Sequence, residues 1–361
     1  MSRASTGDEP LRREVTSVAA ERGPLAMEAI GISKDFRLPR GQRILAVREV
    51  SFNLYRGAVV ALVGESGSGK STVARLLAGQ ERLTSGSIRL DGQPLDLSTR
   101  QAFRRHKSEV QLVFQDPFAS LNPVHTVRYH LQRPVRLHQG KLSKDEVARE
   151  VAALMEQVQL TPAEQFLAKY PYELSGGQRQ RVSFARALAA RPSVLLADEP
   201  VSMLDVSIRL EMLSLLDDLR RRFRLALLYI THDIASARYF ADEVLVMYAG
   251  QIVERGPAEE LTQYPAHPYT QLLVASAPDP DNLGSTLRGG AQRNTRQPAQ
   301  ASTAPIGCPF SPRCPLADDR CRRDDPALER VSAVRAAACW RLDVAAPEVL
   351  AGRQGGGDMT S

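Results

Sequence analysis

The chain has 361 residues, a formal net charge of +6 and hydrophobic residues at 43% of its positions. These values fit a globular protein that is longer than one domain usually needs, so we expect an appended module. No apolar run approaches the ~20 residues that span a bilayer, and residues 1–9 lack the apolar stretch of a secretion signal. We therefore expect a protein of the cytosol. Its basic residues form no cluster with interleaved aromatics, so no nucleic-acid partner is expected.

The first part of the chain predicts a disordered extension followed by β-structure. Residues 1–26 are polar and short of large apolar side chains, which is typical of disorder. Residues 27–57 contain β-like runs, such as residues 46–52. Residues 58–63 are continuously apolar, as expected for a parallel strand that is buried on both faces.

A glycine-rich loop follows this strand and leads into a helix over residues 71–78. The loop, residues 64–71, fits the phosphate-binding pattern G-x-x-x-x-G-K-[ST]. A strand, a glycine loop and a helix together form an anion nest, in which Lys70 reaches the β- and γ-phosphates and the Ser71 hydroxyl binds Mg²⁺. The predicted ATP-binding residues are Gly64, Glu65, Ser66, Gly67, Ser68, Gly69, Lys70, Ser71 and Thr72.

Residues 117–188 have a helical pattern and predict a helical subdomain. Residues 143–146 form a capping box, and apolar residues follow on one helical face. Near the end of the region lie Leu174, Ser175, Gly176, Gly177 and Gln178. Two glycines remove the Cβ atoms that would block a close approach, and a helix start favours an anion. This loop could therefore hold an anion such as a phosphate.

Two more buried strands are predicted to end in polar side chains. The apolar run 194–197 leads into Asp198 and Glu199, and the run 225–231 leads into His232. Asp198 is expected to join Ser71 at Mg²⁺, because a hard cation prefers oxygen ligands beside phosphates.

With these neighbours, the run 174–181 resembles the signature of ABC-type ATPases, and the resemblance to an ABC transporter ATP-binding subunit covers about residues 27–255. It implies an α/β fold with a RecA-like P-loop core, an antiparallel β subdomain and the helical subdomain that carries the signature loop. It also implies a Mg²⁺-dependent ATPase that works with a second ABC ATPase subunit, identical or homologous. In that pair each P-loop faces the other subunit's signature loop. Two transmembrane permease subunits complete the implied assembly.

The same resemblance implies catalytic roles. Glu199 would polarise the attacking water, His232 would contact the γ-phosphate, and Gln115 would sense Mg²⁺ and the membrane partner. Asp205 would belong to the loop that couples the two nucleotide sites. Met203 stands where the family usually has alanine, which leaves the packing of that loop open.

Two further features of the family are implied less directly. Phe36 is placed like the aromatic residue that stacks on adenine, with Val47 beneath it; the alternative is a core phenylalanine of the antiparallel sheet. Residues 116–123, with two prolines and an aromatic, would form a groove that receives a short helix of the membrane subunit. A plain turn is the alternative.

The C-terminal extension, residues 256–342, indicates the subfamily. Residues 266–273 resemble the extension of ATPase subunits that serve oligopeptide and dipeptide importers. This implies peptide import, an indirect extracytoplasmic substrate-binding partner, and a peripheral position on the cytoplasmic side of the plasma membrane. Nickel or oligosaccharide import remains an alternative within the family. A soluble mechanical ATPase acting on ribosomes or nucleic acid, and a regulatory module with a cysteine sensor, are the alternatives outside it.

All four cysteines lie in the extension, after a predicted linker (residues 281–306) and before a predicted flexible tail (residues 343–361). In a reducing cytosol, clustered cysteines suggest metal before disulfides. Their uneven spacing differs from the paired C-x₂-C of zinc ribbons and suits a [4Fe–4S] cluster, which related peptide-importer subunits carry. Zn²⁺ and plain buried thiols remain the alternatives. The candidate ligands are Cys308, Cys314, Cys321 and Cys339.

Overall fold

The computed structural model describes residues 23–37, 43–116, 120–277 and 306–349. The strands are β1 Leu25–Arg37, β2 Arg43–Tyr55, β3 Val59–Val63, β4 Ser85–Leu90, β5 Gln93–Pro94, β6 Val110–Val113, β7 Val194–Asp198, β8 Ala226–Thr231, β9 Glu243–Tyr248, β10 Gln251–Pro257, β11 Glu329–Arg330 and β12 Ala336–Ala337. The helices are α1 Lys70–Leu77, α2 Arg100–Glu109, α3 Val127–His138, α4 Lys144–Gln157, α5 Ala163–Leu167, α6 Gly176–Leu188, α7 Val206–Phe223, α8 Ile234–Phe240, α9 Ala258–Gln263, α10 Pro268–Ser276, α11 Asp319–Arg323 and α12 Leu342–Ala345.

An eight-stranded sheet forms the centre of the molecule, with the order β11-β12-β10-β9-β3-β8-β7-β6. Strands β9, β3, β8, β7 and β6 run parallel. Every residue of β3, β7 and β8 is buried, as expected of continuous apolar runs covered on both faces. Because these strands are parallel, their carboxyl ends meet at one edge, where the polar residues that follow them are brought together.

A second, four-stranded antiparallel sheet has the order β2-β1-β4-β5 and packs with α1 against the central sheet. Its first strand begins at Leu25, and Ala26 is fully buried. The predicted domain boundary at residue 27 was therefore two residues too late. The earlier part of the predicted disordered extension, residues 1–22, lies outside the described residues.

The region of the predicted helical subdomain, residues 117–188, contains α3, α4, α5 and α6. The predicted capping box of α4 is present: Ser143 Oγ accepts a hydrogen bond from Glu146 N, and the Glu146 carboxylate accepts one from Ser143 N. The apolar face of this helix is buried at Val147, Val151, Leu154, Met155 and Val158. Residues 117–119, at the start of the predicted groove, lie outside the described residues.

The C-terminal extension packs directly onto the central sheet. Strand β12 pairs with β10, so the extension adds two short strands to the edge of the central sheet. Arg335 Nη2 donates to Glu254 Oε1 at 2.8 Å, and their side chains are only 5% and 0% exposed. The prediction of a flexible tail from residue 343 was wrong for residues 343–349, because α12 is formed and Val349 packs against a small apolar cluster.

Within the described ranges, no helix has the length and apolar character that a membrane crossing requires. The predicted linker falls almost wholly outside the described residues, since only residue 306 of it is described.

Candidate active site

The phosphate-binding loop connects the end of β3 to the start of α1. At Gly64 a Cβ atom would lie 2.2 Å from the Met247 carbonyl oxygen, so only glycine allows the loop to pack against β9 here. Lys70 Nζ donates to the Gly64 carbonyl at 2.7 Å and to the Glu65 carbonyl at 2.8 Å. The Lys70 amine is therefore held inside the curve of the loop, where a phosphate would meet it.

Burial lowers the pKa of Lys70, and the nearby carboxylates of Glu199, Asp198 and Glu65 oppose this effect. The lysine thus lies in a partly desolvated, acidic pocket. A bound phosphate would add further negative charge around the amine and favour its protonated form.

Ser71, at the start of α1, and Asp198, at the end of β7, lie together at the candidate magnesium site. Ser71 Oγ donates to Asp198 Oδ1 at 3.1 Å. Burial raises the pKa of Asp198, while the Ser71 hydrogen bond and the charge of Lys70 lower it. A hydroxyl and a carboxylate this close to the phosphate loop are the oxygen donors that Mg²⁺ takes.

The three predicted catalytic side chains meet at the carboxyl edge of the sheet. Glu199 Oε2 accepts from Gln115 Nε2 at 3.0 Å and lies 3.2 Å from His232 Nδ1. Glu199 has a positive φ of 47°, and its N–H donates to the Ile230 carbonyl at 2.9 Å. A left-handed residue directly after a buried strand turns the carboxylate into the site. Gln115 contacts Glu199 directly, a partner that the sequence did not indicate.

The candidate signature loop forms the start of α6. Ser175 is the N-cap: its hydroxyl accepts from Gln178 N at 3.2 Å, and Gln178 Oε1 accepts from Ser175 N at 3.0 Å. Leu174 is buried and Ser175 is exposed. At Gly177 a Cβ atom would lie 3.2 Å from Ile208 Cγ2, so glycine also brings α6 close to α7. The capping box was not predicted, and it fixes the loop before any nucleotide is bound.

The signature loop and the phosphate-binding loop are separate in one chain. Among the described residues, no hydrogen bond or ion pair joins residues 174–178 to residues 64–72. Asp205 is exposed at the start of α7, and Leu204 Cδ2 would lie 3.5 Å from a Cβ atom at position 176. The candidate coupling loop therefore adjoins the signature loop, and Met203 beside it is exposed.

The two candidate adenine contacts differ in accessibility. Phe36 is half-buried on β1, and Lys34 Nζ lies 4.9 Å from its ring centroid. Val47 is 0% exposed and pairs with Lys34 across the strands, whereas Phe36 pairs with Ile44. Val47 thus packs in the core and offers no surface to a base, so only Phe36 remains a candidate of this pair.

Two residues of the extension reach the phosphate-binding loop, and the sequence did not indicate either. Tyr269 Oη accepts from Glu65 N at 2.9 Å, and Arg313 forms a two-pronged ion pair with the Glu65 carboxylate. Residues 266–273 therefore contact the phosphate-binding loop through Tyr269. No local pattern could have revealed contacts between positions about 200 residues or more apart.

The four cysteines line one cavity within the extension, next to the start of α10, together with Phe310 and Trp340. All four thiols are free, and Cys308 and Cys321 are buried. Arg341 N donates to Cys339 Sγ at 3.4 Å.

Burial raises the pKa of all four thiols, to about 12 for Cys308 and about 11 for Cys339. The thiols are therefore protonated at neutral pH unless a bound cation displaces the protons. In the described part of the chain, no group of three or more His, Cys, Asp or Glu side chains is arranged to hold a metal ion. Four thiols around one cavity still provide the donor set of an iron–sulfur cluster, whose several irons do not require all sulfurs to meet at one point.

Two family models match the chain. The model described as ABC transporter matches residues 47–202. The model described as oligopeptide/dipeptide transporter, C-terminal region, matches residues 253–321.

Curated relatives match over nearly their whole length. The di/tripeptide transport ATP-binding protein DppF of Pseudomonas aeruginosa is 41% identical over 88% of this chain and 98% of its own. The dipeptide transport ATP-binding protein DppF of Haemophilus influenzae is 39% identical over 91% and 100%.

Solved structures show the same fold over the core. CbiO1 of Clostridium perfringens, part of the ABC transporter complex CbiONQ, matches with a TM-score of 0.59 and 27% identity over 66% of this chain and 91% of its own. The ATP-binding cassette MJ0796, solved as a dimer after hydrolysis with ADP and phosphate, matches with a TM-score of 0.59 and 28% identity over 64% of this chain and 99% of its own.

Proposed function

Because this chain belongs to the ABC transporter family of ATP-binding proteins, in the branch that carries the oligopeptide/dipeptide C-terminal region, we propose that its ATP hydrolysis powers peptide import. The observation that carries the proposal is the convergence of Gln115, Glu199 and His232 beside the phosphate-binding loop in a chain with that extension. The curated relatives are named for dipeptide or di/tripeptide transport. This favours peptides over nickel, oligosaccharides, or a mechanical task on ribosomes.

We assign the steps of hydrolysis to this chain's own residues. Lys70 and the loop N–H groups would hold the phosphates, and Ser71 and Asp198 would hold a magnesium ion, which would neutralise charge on the phosphate oxygens. Glu199 orients and polarises the attacking water, since its carboxylate lies at the carboxyl ends of the parallel strands, beside the phosphate-binding loop. His232, 57% exposed, holds that carboxylate and faces the place of the γ-phosphate.

The exposed start of α6 completes the site of a second ABC ATPase subunit, homologous or identical. A helix N-terminus with two glycines presents free N–H groups to an anion. Since the signature loop and the phosphate loop of one chain are not joined, closure of two chains on ATP brings each loop to the other's nucleotide. ATP contacts that exist only in the closed pair drive this closure.

We place the protein at the cytoplasmic face of the membrane, bound to two transmembrane permease subunits and, through them, to an extracytoplasmic substrate-binding protein. The permease contact would include the segment after Gln115, of which residues 117–119 lie outside the described residues.

We propose that the cavity with four cysteines holds a [4Fe–4S] cluster in a structural role. Thiols with pKa values raised by burial require a bound cation to become ligands, and the small extension around them gains stability from such a crosslink. A single Zn²⁺ is the less suitable occupant, because it requires all its ligands within about 2.3 Å of one point.

Growth on peptides tests the transport function. A strain without this gene should fail to grow when a required amino acid is supplied as a di- or tripeptide, and should grow normally on the free amino acid. The wild-type gene should restore growth, and the Glu199→Gln variant should not. A growth defect seen only when nickel or an oligosaccharide is limiting would show that this compound, and not peptide, is the substrate. Normal growth on peptides, nickel and oligosaccharides alike would contradict an import role.

Anaerobic purification tests the cofactor. A brown protein with about four irons per chain, lost in Cys321→Ser, is expected for a [4Fe–4S] cluster. A colourless protein with one zinc would replace the cluster with a zinc clip, and a metal-free protein would leave four buried thiols.

A further inference from the structure

A tight turn stands between the four-cysteine cavity and the phosphate-binding loop. Cys308 and Cys314 lie at its two ends, and both line the cavity. The turn is closed by Ser311 N donating to the Cys308 carbonyl at 3.0 Å and by Cys314 N donating to the Phe310 carbonyl at 3.0 Å. A group that holds Cys308 and Cys314 in place would therefore also restrain the backbone of residues 309–313.

Arg313 projects from this turn onto the phosphate-binding loop. Its Nη1 and Nη2 donate to the two carboxylate oxygens of Glu65 at 2.8 and 2.9 Å. The guanidinium also lies over the rings of Tyr248 and Phe310, 5.8 and 5.7 Å from their centroids. The two side chains of the ion pair are only 15% and 29% exposed. An arginine that makes two parallel hydrogen bonds to a carboxylate, and that packs against aromatic rings, fixes the position of that carboxylate as well as balancing its charge.

Glu65 is held at all three of its polar groups. Its carboxylate is bound by Arg313, its N–H donates to Tyr269 Oη at 2.9 Å, and its carbonyl accepts from Lys70 Nζ at 2.8 Å. Arg313 and Tyr269 belong to the C-terminal extension, whereas the carbonyl partners are Lys70 and Ser68 N (3.2 Å) of the phosphate-binding loop itself. A displacement of Arg313 would thus move the carbonyl that positions the Lys70 amine.

We propose that Arg313 is a positioning residue for the phosphate-binding loop, and that through it the four-cysteine module sets the affinity of the site for ATP. The proposal rests on the nucleotide site described above. In this role Arg313 acts on the loop by holding the Glu65 carboxylate. Because coupling between two sites is reciprocal, nucleotide binding and the integrity of the module then stabilise each other.

The test compares ATP binding and hydrolysis in variants of the full-length, purified protein. In Arg313→Ala the dissociation constant of MgATP should rise about three- to tenfold while kcat changes less than about twofold, since the loop is misplaced but Glu199 is untouched. Arg313→Lys should be intermediate, because it keeps the charge and loses the bidentate fork. Arg322→Ala is the matched control: it removes the same charge from the same module, where Arg322 pairs with Asp319, and should bind ATP like the wild type.

A double-mutant cycle separates positioning from general damage. Adding Arg313→Ala to Glu65→Gln should weaken ATP binding no further, because the shared interaction is already lost. The charge exchange Arg313→Glu with Glu65→Arg should recover part of the affinity that Arg313→Glu alone loses. The thermal midpoint and the metal content of each variant show whether the module remains folded.

Unchanged ATP affinity in a folded Arg313→Ala would overturn the proposal, as would additive effects in the cycle. A wild-type protein that binds no ATP would instead contradict the nucleotide site itself, so the two failures are distinguishable.

Discussion

At the scale of single residues, the catalytic geometry depends on where each strand ends. Gln115, Glu199 and His232 follow three different parallel strands. Gln115 Nε2 and His232 Nδ1 lie 3.0 and 3.2 Å from Glu199 Oε2. The left-handed backbone of Glu199 turns its side chain away from the core and into the site. A carboxylate with two polar partners and an open side is arranged to orient a water molecule.

Glu199→Gln should bind MgATP with wild-type affinity and hydrolyse it at least about 100-fold more slowly, because the amide cannot accept a proton from water. Single-turnover hydrolysis and nucleotide binding, measured on the same preparation, check this. Glu156→Gln, which changes an exposed carboxylate of α4, should hydrolyse ATP normally. Near-normal turnover in Glu199→Gln would remove Glu199 from this role.

Lys70→Ala should raise the dissociation constant of MgATP about 10- to 100-fold, the effect of losing one charged hydrogen bond to phosphate. Equilibrium binding of a fluorescent ATP analogue measures it. Lys144→Ala removes an exposed lysine at the start of α4 and should leave binding unchanged. An unchanged affinity in Lys70→Ala would mean that residues 64–71 do not hold the phosphates.

At the scale of elements, the extension is stabilised where β12 joins the edge of the central sheet. Glu254 on β10 is completely buried; its carboxylate accepts from Ala266 N and His267 N and pairs with Arg335. Burial raises the pKa of Glu254, and the Arg335 charge opposes that rise. One buried ion pair thus joins β10, the start of α10 and the segment before β12.

Arg335→Leu should lower the free energy of unfolding by about 3–5 kcal/mol, because it leaves the buried Glu254 carboxylate without its charged partner. Urea unfolding monitored by circular dichroism measures the change. Arg323→Leu, at an exposed position of α11, should change stability by about 0.5 kcal/mol or less. Equal stability of the two variants would show that the ion pair does not hold the extension on the sheet.

At the scale of the whole molecule, the proposed parts of the nucleotide site lie on one chain without coming together in it. The phosphate-binding loop and the signature loop are not joined within the described residues, and both are accessible at their tips, Ser66 and Ser175. This separation accords with our proposal that a second subunit brings its signature loop to the nucleotide. The dimeric state of the similar cassette MJ0796 accords with this arrangement.

With MgATP, Glu199→Gln should form a dimer of about twice the 39.7 kDa chain mass, because the closed pair accumulates when hydrolysis is blocked. Light scattering after size exclusion detects it, with ADP as the negative control. Adding Ser175→Asp should prevent dimerisation: aspartate caps a helix as well as serine, but its charge repels the γ-phosphate. The closure mechanism is contradicted if the Glu199→Gln variant binds ATP but forms no dimer, either with itself or with a homologous ATPase subunit that copurifies with it.

The sequence by itself determined the class of the fold and indicated which side chains lie at the edge of the central sheet. Lys70, Ser71, Asp198 and Glu199 were predictable because glycine loops and apolar strands are local patterns, and parallel strands place their carboxyl ends at one edge. The capping box of α4 was predictable for the same reason.

Only the tertiary structure decided the contacts between distant segments. The ion pair of Arg313 with Glu65 joins positions 248 residues apart. The burial of Val47 depends on neighbouring strands and cannot be predicted from the residues around it in the chain. The extension docks on the ATPase sheet through β12, a strand of two residues that is too short to leave a periodic pattern. Such contacts depend on how elements pack, and packing is a property of the folded chain and not of any local run of residues.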